Sequence, residues 1–211
     1  MSATSTRWLT ENQYHRWRPD AVRVDPEELI QLLNRAGVKF ILMGHHGIGG
    51  WLSHARATRD VDVLVRKRDH AKAVRAIHEA YPALTQVDNA VVTRFLHPKD
   101  GDPVIDVMKP QDRYAEAFKN TVRIGDSHDV PNLELALAAK FAALISRNCD
   151  DARKHFDAGD FIQLVQRNHA TIDEPRLRQL GEAVYTGGGE ALLKFVADVK
   201  AGRRLVPRRP R

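Results

Sequence analysis

An α/β (α+β) fold is what this sequence predicts: a small mixed sheet flanked by helices, followed by a C-terminal helical domain. Three observations carry that expectation. A glycine-dense stretch, Gly44-His45-His46-Gly47-Ile48-Gly49-Gly50, separates two apolar runs, Val38–Met43 and Asp60–Val65, as a connection between strands does. Short apolar runs bounded by turn residues recur to about residue 124, with helical patterns between them. Beyond Pro131 the pattern is helical to the last stretch of the chain.

Asp25-Pro26-Glu27-Glu28 opens the first helix. The aspartate caps, the proline suits the first turn, and Glu28 completes a capping-box-like spacing. Leu29, Leu32 and Leu33 form its apolar stripe, and Gly37 ends it. Val38–Met43 reads as a buried strand running into the glycine turn. Ile48–Ala55 reads as a short helix with Trp51 and Leu52 inward, and Asp60–Val65 as the second strand. Asp69–Tyr81 is helical in pattern and stops at Pro82. Ala90–Leu96 and Val104–Met108 are strands joined through the hairpin turn Lys99-Asp100-Gly101-Asp102, and Thr121–Ile124 is a short strand covering an edge. Four helices follow: Leu133–Arg147, Asp151–Asn168, Glu174–Val184 and, after Gly187-Gly188-Gly189, Glu190–Lys200. No internal repeat is visible. The expected domains are an N-terminal arm (1–24), an α/β domain (25–128), a helical domain (129–200) and a basic tail (201–211).

The 211 residues, 43% hydrophobic and 28% charged, suit an ordinary globular protein with a proper core. A lone cysteine, Cys149, excludes an intramolecular disulfide and a four-cysteine zinc site. No apolar run reaches the roughly 18–20 residues of a membrane span. The N-terminus lacks the apolar core of a signal peptide, so a cytoplasmic protein with no membrane partner is expected. The net charge of +6 includes a tail with Arg203, Arg204, Arg208, Arg209 and Arg211, read as a solvated end or as an attraction for RNA. In the arm, Trp8, Tyr14 and Trp17 lie among Arg7, Arg16, Arg18 and Arg23, a pattern read as packing onto the chain's own domain.

Chemistry concentrates around the glycines. Glycine lets a backbone approach a bulky anion. Asp60 and Asp62, two apart on a strand, share a face, where their repulsion is costly unless solvent or a divalent cation relieves it. Asp106 lies inside the apolar run Val104-Ile105-Asp106-Val107-Met108, an unfavourable place for an unpaired carboxylate. If these strands are neighbours, three carboxylates converge. That suits two metal ions about 3.5–4 Å apart at a phosphoryl transfer, with Asp106 as third ligand or general base. The glycines form neither a Walker loop nor a dinucleotide fingerprint, since Leu52 stands where the last glycine is needed. His45 and His46 have no partners at zinc-site spacing.

In the helical half, Leu133, Leu137, Phe141, Leu144 and Ile145 make one stripe, with Lys140 and Arg147 on its margin. Asp157 and Asp160 lie on or beside the apolar side of the next helix. Lys140 either reaches a nucleotide phosphate while Asp157 or Asp160 holds it, or makes an interhelical salt bridge. Arg56 neutralises a phosphate or holds its loop, and Thr58 orients the turn.

The strand, the glycine turn, Arg56-x-Thr58-x-Asp60-x-Asp62 and the later Asp106 resemble the nucleotidyltransferase fold of DNA polymerase beta. The run from Glu134 through Lys140, then Arg147 and Lys154-x-x-Asp157-x-x-Asp160-Phe161, is similar to the AbiEii-type family of nucleotidyltransferase-like toxins. The resemblance covers roughly residues 28–165. It implies a metal-dependent transfer of NMP from a nucleoside triphosphate to a hydroxyl of RNA, tRNA or protein, by the toxin of a toxin–antitoxin or abortive-infection system. It further implies Asp60, Asp62 and Asp106 as ligands of Mg²⁺ (or Mn²⁺), these three with Lys140 as catalytic residues, and Gly44, His45, Arg56, Lys140, Asp157 and Asp160 as nucleotide contacts. An antitoxin would be a partner. His45 stands where the family usually has glycine or serine. The alternative is therefore a non-catalytic nucleotide- or partner-binding protein that keeps the fold, and an antibiotic-modifying transferase is a third reading.

Overall fold

The computed structural model describes residues 24–54, 56–110, 112–146 and 151–205. The arm to residue 23, Ala55, Arg147, Cys149 and the tail arginines Arg208, Arg209 and Arg211 lie outside the described residues. The described residues form two compact units, one of those up to Gly50 with His54–Pro131, the other of Trp51–Ser53 with those from Asn132 on.

In the first unit, helix α1 (Pro26–Arg35) starts where the sequence predicts, with the Asp25 side chain accepting the Glu27 backbone N–H at 2.9 Å. Strand β1 (Phe40–Leu42) leads into a helix of one turn, α2 (Gly44–Ile48), and a 3₁₀ turn over Gly49–Trp51. The helix expected at Ile48–Ala55 is thus displaced towards the N-terminus and begins on the first glycine. Strand β2 (Val61–Val65) and helix α3 (His70–Ala80) follow, then β3 (Thr85–Asp88), β4 (Val92–Leu96), β5 (Pro103–Met108), a 3₁₀ segment (Asp112–Lys119), β6 (Thr121–Ile124) and β7 (His128–Pro131). These strands make one mixed sheet in the order β3-β4-β5-β2-β1-β7-β6. β2 runs parallel to β5 and antiparallel to β1, while β1 is parallel to β7.

Two of these strands have no counterpart in the sequence reading. β3 is an exposed edge strand with one strongly apolar residue, Val87, so it has no buried face to impose alternation. β7 carries Asp129 at the position paired with Ile41. That carboxylate is buried because Lys39 (2.7 Å) and Arg123 (3.4 Å) neutralise it.

Alternation along the strands divides the sheet into two chemically different faces. Val61, Val63 and Val65 of β2, Phe95 of β4 and Ile105 and Val107 of β5 pack with Leu29 and Leu33 of α1 and Ala73 and Ile77 of α3 into one core. The residues between them, Asp62, Arg94 and Asp106, therefore belong to the opposite face.

The second unit is helical: α4 (Leu133–Ile145), α5 (Asp151–Asn168), α6 (Glu174–Val184) and α7 (Gly188–Lys200). The side chains of Asn132 and Asp173 cap α4 and α6. Phe195 meets Phe141 and Phe161 edge-to-face, with ring centroids 5.3 and 6.1 Å apart. Trp51 and Leu52 join this unit through their carbonyls, which accept from Asn168 and Arg167 at the end of α5. One expectation is corrected here. α4 has no single apolar stripe, because Leu135, Ala136 and Ala138 are buried as well as Leu133, Leu137, Phe141 and Leu144. A helix apolar on nearly all sides is buried on nearly all sides, and Lys140 is inside rather than marginal.

Candidate active site

The site of the first unit is assembled from three neighbouring strands and the glycine-rich helix. The Met43 backbone N–H donates to the Asp62 carbonyl at 2.8 Å, the last rung between the end of β1 and the start of β2. The next residue, Gly44, has φ +57°, and a Cβ there would lie 1.9 Å from Asp62 Oδ2. The Asp62 carboxylate occupies the space that any side chain at position 44 would need. Gly47 answers a second constraint, since a Cβ on it would lie 2.0 Å from the Leu42 carbonyl oxygen. The two glycines let α2 fold back tightly at the end of β1 and bring its first turn against a carboxylate.

Asp62 of β2 and Asp106 of β5 are in register across the parallel pair, where strands lie about 4.8 Å apart. Asp106 is in turn in register with Arg94 of β4. The guanidinium Nε of Arg94 donates to Asp106 Oδ2 at 3.2 Å. One row across three strands therefore reads carboxylate, carboxylate, guanidinium. Sequence reasoning missed Arg94. The signal was the one that revealed Asp106: a charged residue inside a run, Val92-Thr93-Arg94-Phe95-Leu96, that is otherwise apolar or neutral.

Asp60 stands one residue before β2, and its Oδ1 accepts from the Thr58 hydroxyl at 2.8 Å. Its charge opposes the lowering of the His46 pKa. His45 is buried, and its Nε2 accepts the Arg56 backbone N–H at 2.9 Å, tying α2 to the loop before β2. The Arg56 side chain donates to the Ala57 carbonyl. His46 is buried, and among the described residues its Nδ1 has no hydrogen-bond partner. Burial first, then the neighbouring His45, lowers its pKa to about 4, against the opposing pull of Asp60.

Among the described residues, no group of three His, Cys, Asp or Glu side chains is arranged to hold a metal ion. The pair Asp62 and Asp106 does fit a hard divalent cation in chemistry: oxygen donors on one face of adjacent strands, with Asp62 Oδ2 held in a cradle that only glycine leaves open. Asp60, engaged by Thr58, lies beside this pair in sequence but is not gathered with it into one three-carboxylate cluster.

In the second unit, Lys140 is buried and meets Asp157 at 2.7 Å and Asp160 at 2.8 Å. Both aspartates hold it, where the sequence left a choice between them. Burial opposes the ammonium charge, but the attraction of Asp160 and then Asp157, with their hydrogen bonds, raises its pKa above the usual lysine value.

The crystal structure of an antigenic nucleotidyltransferase-like protein from Paracoccidioides brasiliensis superposes with a TM-score of 0.50 at 16% identity, covering 88% of this chain and 97% of that one. The fold is nucleotidyltransferase-like. The antibiotic-resistance factor ANT(2'')-Ia matches at a TM-score of 0.41 and 11% identity, covering 83% of this chain and 90% of that one. Terminal uridylyl transferase 4 from Trypanosoma brucei with bound GTP matches at 0.33 and 15%, covering 80% and 58%. No protein-family model matches the chain, and no curated protein is significantly similar to it. Among the described residues no helix is long and apolar enough to cross a membrane.

Proposed function

We propose that the chain is a divalent-metal-dependent nucleotidyltransferase of AbiEii type, moving a nucleoside monophosphate from a triphosphate to an acceptor hydroxyl of RNA, tRNA or protein. The observation that supports this reading best is the pair of in-register carboxylates, Asp62 and Asp106, set against the backbone of Gly44. In this reading Asp62 and Asp106 would hold Mg²⁺ (or Mn²⁺), and Asp60, two residues before Asp62, is assigned as a further ligand. Bound there, the ion would supply charge neutralisation at the triphosphate and at the pyrophosphate leaving group.

The chain's own contributions are positional. The Gly44–Gly50 segment, as the resemblance implies, is assigned to the triphosphate, at its half-buried start on Gly44. The His45 side chain is engaged by the Arg56 N–H, so its part is to fix the loop that carries Arg56 and Thr58. Asp106, whose Oδ2 accepts from Arg94, is assigned as a further ligand or as the group that receives the acceptor's proton. Lys140, fixed by Asp157 and Asp160, is assigned to phosphate. The toxin role, with an antitoxin as partner, belongs to the same proposal and rests on the motif from Glu134 to Phe161.

The test is transfer of label. Purified protein is incubated with each of the four α-³²P-labelled triphosphates, Mg²⁺ or Mn²⁺, total RNA and cell extract. Labelled RNA or protein is expected, with none from Asp62→Asn. Triphosphate binding without transfer under all these conditions would replace the enzyme reading with the non-catalytic binding protein.

A further inference from the structure

Arg94 lies next to the two carboxylates, and its role is separable from theirs. Asp62, Asp106 and Arg94 occupy one row of the sheet, and the Arg94 Nε reaches Asp106 Oδ2 at 3.2 Å. The Asp106 side chain is 9% exposed and that of Arg94 is 38% exposed, so the guanidinium approaches the buried carboxylate from the solvent side. An arginine here lowers the repulsion between two carboxylates on adjacent strands in the absence of any other cation. The same charge opposes the arrival of a divalent cation at those oxygens.

We propose that Arg94 is a tethered counter-cation that competes with the divalent cation for the Asp106 carboxylate, and so sets both cation affinity and the stability of the cation-free protein. The inference rests on the reading of Asp62 and Asp106 as the cation site. Arg94 is a positioning residue in this scheme: it holds Asp106 when the cation is absent and yields it when the cation binds. Its exposed side of the pair gives it room to withdraw without disturbing the core on the opposite face.

The experiment is Mn²⁺ binding followed by electron paramagnetic resonance at fixed ionic strength, beside thermal unfolding with EDTA and with Mn²⁺. The full chain is compared with Arg94→Met, Arg94→Gln, Arg94→Lys and Asp62→Asn. Arg94→Met and Arg94→Gln are expected to bind Mn²⁺ about tenfold more tightly, the direction set by removing a like charge. Both should melt lower in EDTA and gain more from Mn²⁺ than the natural chain. Arg94→Lys keeps the charge and should stay near the natural affinity. If Mn²⁺ binds and is lost in Asp62→Asn, but the neutral Arg94 variants bind equally or more weakly, the competition is refuted and the cation site stands. If no variant binds Mn²⁺, or Asp62→Asn binds it as well as the natural chain, both readings fall.

Discussion

The backbone of Gly44 and the carboxylate of Asp62 compete for one space: a Cβ on Gly44 would sit 1.9 Å from Asp62 Oδ2, at a residue whose φ is +57°. Gly44→Ala therefore carries two costs. Left-handed backbone for an alanine costs about 1 kcal/mol, and the Asp62 carboxylate must turn away from its present place. The expected result is a fall in stability of about 1–3 kcal/mol, with loss of label transfer greater than that fall explains. Denaturant unfolding and the transfer assay, run on the same preparations, check it. Activity retained in a folded Gly44→Ala variant would separate the glycine from the site.

Lys140 and Asp160 give a prediction about the second unit. Removing one member of a buried ion pair leaves an uncompensated charge and costs about 3–5 kcal/mol. Lys140→Met leaves two carboxylates facing each other, so it should be the most destabilising single change in this group. Asp160, at 1% exposure, should matter more than Asp157 at 17%, so Asp160→Asn is expected to melt lower than Asp157→Asn. Combining Lys140→Met with Asp160→Asn should recover part of the loss. If that double variant folds and still binds triphosphate normally, Lys140 is a structural ion pair and its assignment to phosphate is wrong.

The parts of the fold legible in the sequence are those with a buried face and a chemical boundary. The Asp25 cap, the valines of β2 and the aspartate inside β5 each break or make a pattern that one strand or helix suffices to explain. What was not legible depends on pairing. β3 has no buried face, and β7 contains a charge that Lys39 and Arg123, outside that strand, make tolerable. The same holds in the site. Asp62 and Asp106 could be named from their own strands, but the register that sets Arg94 beside Asp106 comes from the sheet order. The start of α2 at Gly44 was hidden because its glycines act through close approach to Leu42 and Asp62, a relation that no local pattern records.

Close approach also decides the packing of α6 on α7. A Cβ on Gly188 would lie 2.2 Å from the Gly181 carbonyl oxygen, and one on Gly181 would lie 2.7 Å from the Gly188 carbonyl oxygen. Both obstacles are backbone, so neither can be relieved by a rotamer change. Gly188→Ala is expected to cost about 1–3 kcal/mol by forcing the helices apart. Gly187 is the control: its φ is +86° but nothing crowds it, so Gly187→Ala should cost only about 1 kcal/mol. Chemical denaturation of the two variants settles the order. Equal losses would mean that the contact between these helices is loose.

His46 makes the fold sensitive to acid. Its pKa in the folded chain is about 4, against 6.5 for the ordinary group. Between these values the unfolded chain binds a proton that the folded chain does not, so protonation favours unfolding and stability falls as pH falls. The contribution is absent above about pH 7, grows through the window from 6.5 to 4, and is fully developed below 4, where it amounts to about 3 kcal/mol. Burial also lowers the pKa of His70 and His128, so they act in the same direction. In His46→Gln the slope of melting temperature against pH between 6.5 and 4 should flatten without vanishing. The variant should lose stability near pH 7.5 only by the packing difference between the two side chains. An unchanged slope would show that His46 takes up its proton in the folded chain as readily as in the unfolded one, and that its buried Nδ1 finds a partner on protonation.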